Sequence, residues 1–165
     1  DMSRKRLDPQ IEVPVATLIP EDWMPDIQDR LTAYRELATS RSTDEVRSVL
    51  SDWEDRFGEP PPEVLNLGWA AEAKVRARHL GIAHIRWHQV RVDLDFDASS
   101  PVPPEAVVAL VNQDGQRFNL APIPGQESSG ATRLVVRFTP AEGEWPFRFL
   151  HWIFRQFEAG LSAAD

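Results

Sequence analysis

Three carboxylates at two-residue spacing are the first group in this sequence that could do chemistry. Asp93, Asp95 and Asp97 match the start of a calcium-binding loop, which needs acidic side chains at alternate positions. That loop also needs a glycine and a bidentate glutamate, where this sequence has Ala98 and Pro104. We therefore predict no metal site here, and we expect the three carboxylates to lie on the solvent face of a strand.

The other candidates for catalysis or metal binding lack the context that they require. His84 and His88 are four residues apart, which suits metal binding on a helix, but their segment has strand periodicity and no acid completes an HExxH motif. Neither Lys5 nor Lys74 follows the glycine-rich loop that binds nucleotide phosphates, and no serine lies in a nucleophile-elbow motif. We predict that this chain is not an enzyme and has no catalytic residue, metal or cofactor of its own.

Charged residues near the end of a predicted helix are a different kind of candidate. Asp52, Asp55 and Arg56 lie off the apolar face that carries Trp53 and Phe57. Arg56 complements the helix dipole at a carboxyl end, whereas Asp55 opposes it. The three side chains either form a solvated surface with local charge pairing or meet opposite charges on another domain. Spacing alone leaves both interpretations open.

The residues that follow predict a junction between two helices. Phe57 closes the apolar face, and Gly58 can adopt the positive φ that ends a helix. The prolines at 60–62 prevent the helix from continuing, and Pro61 or Pro62 suits the first turn of the next one. We assign Phe57, Gly58 and Pro61 to this structural junction.

Hydrophobic periodicity predicts an α+β fold, in which three amino-terminal amphipathic helices pack with a small, mainly antiparallel sheet and a carboxyl-terminal helix. An edge strand containing Pro14 is predicted at 11–19. The helices are predicted at 26–40, 42–57, 61–80, 105–112 and 144–161, and the other strands at 82–87, 90–96, 117–121 and 132–138. The residues expected to form the packing face of the first helix are Ile27, Leu31, Tyr34 and Ala38.

Composition indicates one globular domain with no membrane span. Apolar residues make up 42% and charged residues 27% of the 165 residues, and we expect most of the six tryptophans to lie in the core. The absence of cysteine excludes disulfides and thiol chemistry. Residues 1–10 are expected to be a flexible lead-in or a cloning remnant, and 11–165 a single domain. The loop at 122–130, rich in Gly, Ser and Pro, is the segment we expect to be most mobile.

Charge argues against direct DNA binding. The net charge is −8, and the 26 acidic residues are spread along the chain, whereas a duplex-binding surface needs a basic face. Lys74, Arg76, Arg78 and His79 do cluster, but they fall in the last turns of a predicted helix, where cations complement the dipole.

Four motifs occur in an order that is informative as a set. They are LIPEDWMPD at 18–26, RLTAYRELA at 30–38, DRFG at 55–58 with Pro61 and Val64 after it, and LGI at 80–82. In this order they resemble the C-terminal domain of bacterial transcription-repair coupling factors. The resemblance is strongest from about residue 11 to 96, and beyond it only the element order and the last helix agree.

The resemblance implies a fragment of an ATP-dependent DNA translocase that displaces stalled RNA polymerase and recruits UvrA in transcription-coupled nucleotide-excision repair, in the bacterial cytoplasm. ATP and Mg²⁺ would be bound by the motor of that parent protein, outside this chain. In the family, the C-terminal domain is an autoinhibitory clamp on a UvrB-like N-terminal module and masks the surface that UvrA uses.

The family's clamp contacts match Asp52, Asp55 and Arg56 here, with Asp52 replacing the usual Glu and Trp53 replacing a smaller aliphatic residue. The alternative is a stand-alone adaptor with the same fold that binds protein or nucleic acid.

Overall fold

The computed structural model describes residues 7–164, which divide into two compact units. The helical unit is Pro14–Val75, and the sheet unit combines the chain up to Val13 with the chain from Arg76 onward. Residues 1–6 of the predicted lead-in lie outside the described range. The next residues contact the sheet unit, since Pro9 is buried and the Leu7 carbonyl accepts a hydrogen bond from Arg78 Nε at 2.9 Å.

The described residues form six helices and a five-stranded sheet, which confirms the α+β prediction. In chain order the elements are β1 Gln10–Glu12, α1 Ile27–Ala38, α2 Thr43–Phe57, α3 Pro62–Leu80, β2 Ile82–Trp87, β3 Arg91–Phe96, α4 Pro104–Gln113, β4 Phe118–Ala121, β5 Thr132–Arg137, α5 Pro140–Gly143 and α6 Pro146–Ala164.

Two predicted boundaries are wrong. The first strand ends at Glu12 instead of continuing to residue 19, because Pro14 has no N–H to donate to a strand ladder and disfavours regular pairing around it. The final helix was predicted from 144, but the chain first forms the short helix α5. Its amino terminus is a capping box, in which Thr139 Oγ1 accepts from Glu142 N and the Glu142 carboxylate accepts from Thr139 N.

In the helical unit, side-chain caps set the start of two helices. Asp26 Oδ1 accepts from Gln28 N at 2.7 Å at the start of α1, and Ser42 Oγ accepts from Glu45 N at 3.1 Å at the start of α2. The Glu45 carboxylate accepts from the N–H of Arg41, one residue before the position used in a standard capping box, so Ser42 and Glu45 form a displaced capping box.

The predicted packing face of α1 is wrong. The helix buries Ala33 and Leu37 in the core of the helical unit, whereas Ile27 and Leu31 are more than half exposed. Tyr34 is 38% exposed, and its hydroxyl accepts a hydrogen bond from Ile19 N at 2.8 Å. The buried core of this unit is Ile19, Met24, Ala33, Leu37, Val46, Trp53, Val64 and Val75.

In the sheet unit, the strand order is β1-β2-β3-β5-β4. The pair β1–β2 is parallel and the others are antiparallel. Ile85, Leu94 and Leu134 are in register across the three central strands, and all three are fully buried. Helix α6 buries an apolar face in the same unit, and its Phe157 ring meets Phe96 of β3 edge-on at 5.3 Å. One face of the sheet is therefore an apolar surface for α6.

The opposite face of the sheet carries ion pairs instead of solvated carboxylates. Asp93 is only 5% exposed, which corrects the expectation that it faces solvent, and its carboxylate contacts Arg91 Nε at 3.2 Å and His88 Nε2 at 3.1 Å. Asp95 receives two hydrogen bonds from Arg133, at 2.7 and 3.0 Å, which raise the pKa of that guanidinium. These acids lie on the predicted side of the strand, but neighbouring cations cover them.

The outer strand β1 is joined to the same polar face. Glu12 contacts His84 and Arg86 of β2, and these hydrogen bonds lower the pKa of its carboxyl. His84 and His88 therefore contact two different carboxylates, those of Glu12 and Asp93. Among residues 7–164, no group of three or more His, Asp or Glu side chains is placed to hold a metal ion.

The expectation that most tryptophans are in the core is also wrong. Trp53 is 2% exposed, but Trp145, Trp69 and Trp152 are 64%, 52% and 38% exposed. Trp23 and Trp87 have intermediate exposure. Within the described range, no helix is long and apolar enough to cross a membrane.

Gly81 ends α3 at a close contact. Its φ is +68°, and an added Cβ would lie 2.4 Å from Ser100 Cα, a backbone atom that cannot move independently. The Ser100 hydroxyl donates to the Leu80 carbonyl at 2.6 Å, so this serine is held against the end of the helix.

We predict that Gly81→Ala lowers the free energy of unfolding by about 3 kcal/mol, since it adds a backbone clash to the cost of positive φ. Gly58→Ala is the matched control, because Gly58 also ends a helix at positive φ but has open space around it. It should cost about 1 kcal/mol. Denaturant unfolding of both variants measures the difference, and equal losses would contradict the role of Ser100.

A second prediction concerns pH. Partial burial raises the pKa of Glu142, but hydrogen bonds from Thr139 and Arg117 lower it by more, so the carboxyl titrates below its ordinary 4.5. A lowered folded-state pKa stabilises the fold above pH 4.5, and that contribution is lost as the pH falls through the folded value. Glu142→Gln keeps an acceptor for the cap but removes the charge.

Glu142→Gln should be less stable than the unsubstituted chain by about 0.5 kcal/mol near neutral pH, because solvent screens this partly exposed charge. The difference should shrink as the pH falls toward about 3. Unfolding titrations across this range measure it, with exposed Glu144→Gln as the control. A difference that does not change with pH would exclude the charge as its cause.

Candidate functional site

The position of α2 is fixed by one large buried side chain. Trp53, one turn before the end of the helix, is 2% exposed and belongs to the core of the helical unit. Phe57 is half-buried, and its ring lies 5.6 Å from that of Trp23. The helix ends where Gly58, at φ +89°, donates its N–H to the Glu54 carbonyl at 2.9 Å. These contacts set the direction of every other side chain in the last two turns.

The three charged residues predicted to form an interface lie together on the outward side of those turns. Asp52, Asp55 and Arg56 are all exposed, and their separations of three and four residues make them neighbours on one helix face. We call them the charged cluster. The structure thus brings the three side chains to one surface.

The members of the charged cluster differ in their local partners. Arg56 Nη2 lies 3.9 Å from Asp29 Oδ1 of α1, and its guanidinium lies 4.8 Å from the Phe57 ring. Both members of this ion pair are about half exposed, so it contributes less than about 1 kcal/mol. Asp52 and Asp55 have no ion-pair partner among residues 7–164. Asp55, which lies in the last turn near the negative end of the helix dipole, therefore lacks an ion-pair partner that would compensate it.

The predicted junction holds the next helix in place. The Pro61 carbonyl accepts hydrogen bonds from Val64 N at 3.0 Å and Leu65 N at 3.2 Å, and Pro62 is the first residue of α3. Proline suits that position, because the N–H of the first helical residue has no intrahelical acceptor. Phe57, Gly58 and Pro61 therefore connect α2 to α3, and they leave the charged cluster on the surface.

Sequence periodicity missed a second exposed surface on the helical unit. Ile27, Leu31 and Tyr34 form a stripe along α1 that we call the apolar stripe, and Leu65 and Trp69 on α3 are about half exposed as well. Periodicity assigns the apolar stripe to the core, and it makes no assignment for Leu65 or Trp69. The buried face of α1 could have been recognised from Ala33 and Leu37. They are four residues apart, as the residues of one helix face are, and the small side chain of Ala33 allows close packing.

The sheet unit has a groove of about 810 Å³ that the sequence did not predict. It is lined by aromatic and charged side chains that include Arg117, Phe118, Trp145, Arg148 and Trp152. Arg117 and Phe118 lie at the start of β4, whereas Trp145 immediately precedes α6 and the other two lie within it, so no local motif connects the two groups.

Comparisons with known proteins connect the helical unit and part of the sheet unit to a family. The family model described as TRCF domain matches residues 13–107, which is more than half of the chain. The chain belongs to the TRCF domain family. The match includes the charged cluster and the junction, whereas most of the groove lies beyond it.

Relatives of this TRCF domain chain are bacterial transcription-repair-coupling factors. The protein from Escherichia coli K12 is 25% identical over 154 residues, which cover 93% of this chain and 13% of that protein. The one from Myxococcus xanthus is 26% identical over 117 residues, which cover 71% of this chain and 10% of that protein. The chain therefore spans only a small part of the length of these relatives.

A solved structure has the same fold as this TRCF domain chain. It is a crystal structure of the C-terminal domain of a transcription-repair coupling factor, with a TM-score of 0.75, 13% sequence identity and coverage of 94% of this chain and 93% of that one. The similarity extends to the part of the sheet unit after residue 107, where the family model does not reach.

We predict that the charged cluster contributes little to folding, whereas Trp53 contributes much. Asp52→Ala, Asp55→Ala and Arg56→Ala should each change the free energy of unfolding by less than about 0.5 kcal/mol, because exposed charges gain little in water. Trp53→Ala should cost about 4 kcal/mol through the lost burial and the cavity left behind. Denaturant unfolding measures all four, and a loss above about 2 kcal/mol in a charged variant would indicate a structural role.

Proposed function

We propose that this chain is the regulatory, autoinhibitory domain of a transcription-repair coupling factor. In this proposal it acts by binding: the charged cluster at the end of α2 holds a UvrB-like module of the same protein and masks the surface that UvrA uses. The observation that carries the proposal is the exposure of Asp52 and Asp55 without local ion-pair partners, on a helix of a TRCF domain that buried Trp53 holds in place.

Electrostatics explains why such a cluster suits an intramolecular clamp. Asp55 lies in the last turn, at the unfavourable end of the helix dipole, so a cation on another domain would relieve that interaction as well as pair with the carboxylate. The Arg56–Asp29 contact of 3.9 Å is weak enough to exchange for a carboxylate on the partner. The cluster therefore offers two negative charges and one positive charge at fixed spacing, which favours one orientation of a complementary surface.

A clamp of this kind works as a two-state equilibrium. In the closed state the cluster contacts are made and the UvrA surface is covered, and in the open state both surfaces are free. Engagement of RNA polymerase or DNA by other parts of the parent protein would favour the open state, because only differential binding shifts such an equilibrium. The contacts of the cluster need supply only a few kcal/mol to keep most molecules closed.

In this proposal the chain performs no chemistry itself. ATP and Mg²⁺ belong to the translocase motor of the parent protein, UvrA and RNA polymerase are indirect partners, and the protein works in the bacterial cytoplasm. Direct DNA binding by this chain is not part of the proposal, because its net charge of −8 opposes approach to phosphates. Arg76 supports this view, since its guanidinium is already engaged with Glu158 at 2.6 and 2.9 Å.

The test is charge reversal in the full-length parent protein. Asp55→Lys and Arg56→Glu should each raise UvrA binding and basal ATPase by about tenfold, because a reversed charge replaces attraction with repulsion at the clamp. The same variants of this chain should lose retention in a pull-down against the purified UvrB-like module. Arg35→Glu and Glu36→Lys are matched controls, since both residues are exposed charges on α1 outside the cluster.

Unchanged UvrA binding and ATPase in folded Asp55→Lys and Arg56→Glu proteins would show that the cluster is not the clamp. If this chain without any substitution fails to retain the UvrB-like module, the adaptor alternative is favoured. A DNA titration at two salt concentrations then separates a protein adaptor from a nucleic-acid adaptor, because only the latter should bind DNA and weaken steeply with salt.

A further inference from the structure

The groove in the sheet unit has a rigid aromatic floor. The Trp152 ring lies nearly parallel to Phe118, with centroids 6.0 Å apart and planes at 23°, and to Phe149, at 5.7 Å and 21°. Phe118 and Phe149 are buried, whereas Trp152 is 38% exposed. Stacking on two buried rings fixes the indole of Trp152, so its exposed part is a preorganised apolar surface.

An ion-paired arginine packs against this aromatic floor. The Arg117 guanidinium lies 5.3 Å from the Trp152 ring centroid and 5.8 Å from that of Phe149. It donates to both Glu142 carboxylate oxygens, at 2.9 and 3.3 Å, and also lies 4.0 Å from Asp114. Arg117 is therefore closely paired with Glu142 and weakly paired with Asp114, whose side chain is about half exposed.

Helix α6 places the exposed side chains of the groove on one face. Trp145 precedes the helix and is 64% exposed, Arg148 lies within the first turn, and Trp152 follows one turn later. Arg148 is exposed and has no ion-pair partner among residues 7–164. Asp114, Arg117, Glu142 and Arg148 give the groove two charges of each sign, and within the described range Arg148 is the one of the four without an oppositely charged partner within 4.0 Å.

We propose that this groove is a docking site for a short acidic peptide segment of a partner protein, with a large apolar side chain as its anchor. The anchor packs between the exposed indoles of Trp145 and Trp152, and a neighbouring carboxylate pairs with Arg148. Charge complementarity favours this occupant, because Arg148 is the one groove charge without an oppositely charged partner in the described range, whereas a basic segment would have to compete with Arg117 for Asp114 and Glu142. Tryptophan and arginine are also the side chains that most often dominate protein interfaces.

The site is independent of the charged cluster on α2, which belongs to the helical unit. The two surfaces also differ in sign, since the charged cluster offers two unpaired acids and the groove offers an unpaired base. A partner suited to one is therefore poorly suited to the other.

The experiment uses this chain, labelled with ¹⁵N, and follows the side-chain N–H signals of its six tryptophans in NMR spectra. The probe is the peptide acetyl-Gly-Glu-Glu-Leu-Phe-Glu-Glu-Gly-amide. It should shift the signals of Trp145 and Trp152 but not that of buried Trp53, with a Kd of about 100 μM. Three comparison probes are the same peptide with lysines in place of the glutamates, the same peptide with alanines in place of Leu-Phe, and an oligothymidylate of similar length.

Each comparison probe should bind the unsubstituted chain at least tenfold more weakly than the acidic peptide does. The acidic peptide should also bind Arg148→Glu and Trp145→Ala at least tenfold more weakly than it binds the unsubstituted chain. Trp69→Ala, which removes an exposed indole from the helical unit, should leave the affinity unchanged. Equal or tighter binding of the lysine or alanine peptide would overturn the proposal. Tighter binding of the oligothymidylate would also overturn it and would identify the groove as a base-stacking site. The absence of a shift in the Trp145 and Trp152 signals at about 1 mM acidic peptide would overturn it as well.

Discussion

The sheet unit depends on neutralising the acids of its central strand. β3 pairs with strands on both sides, and one of its faces must bury Val92, Leu94 and Phe96. The alternation that directs these residues inward places Asp93 and Asp95 on the other face, where an unpaired buried carboxylate would cost several kcal/mol. Arg91 and Arg133 remove that cost by hydrogen bonding. The strand can then present a complete apolar face to α6, and α6 in turn positions the aromatic groove.

Local signals predicted some parts of the fold well. Ser42, Gly58 and Gly81 mark helix ends because capping and positive φ act within one or two residues, and the structure places helix boundaries at all three. Non-local pairing was not predictable in this way. The alternation at 11–19 is typical of a strand, but a strand needs a neighbour along its whole length, and Ile19 packs in the helical core instead.

The choice of face on α1 shows a similar limit. Two stripes have helical spacing, and the one with the larger apolar residues was predicted to be inside. The core of the helical unit is already filled by Trp53 and Met24, so the small side chain of Ala33 meets it instead. The positions of the charged cluster could be predicted from periodicity, because all three residues lie on one helix. The approach of Asp29 to Arg56, and the assembly of the groove from distant segments, depend on tertiary structure.

The apolar stripe on α1 has a consequence for how separate copies of this chain behave in solution. Near neutral pH the excess of eight negative charges keeps copies apart, and the contact that Ile27 and Leu31 could make is opposed by long-range repulsion. Acidification protonates carboxylates and removes this repulsion, while the apolar area does not change. Added salt has a related effect, since it screens the charges without covering the stripe. The colloidal stability of the chain thus rests on its surface acids, including Asp52 and Asp55, which form no ion pair with the described residues.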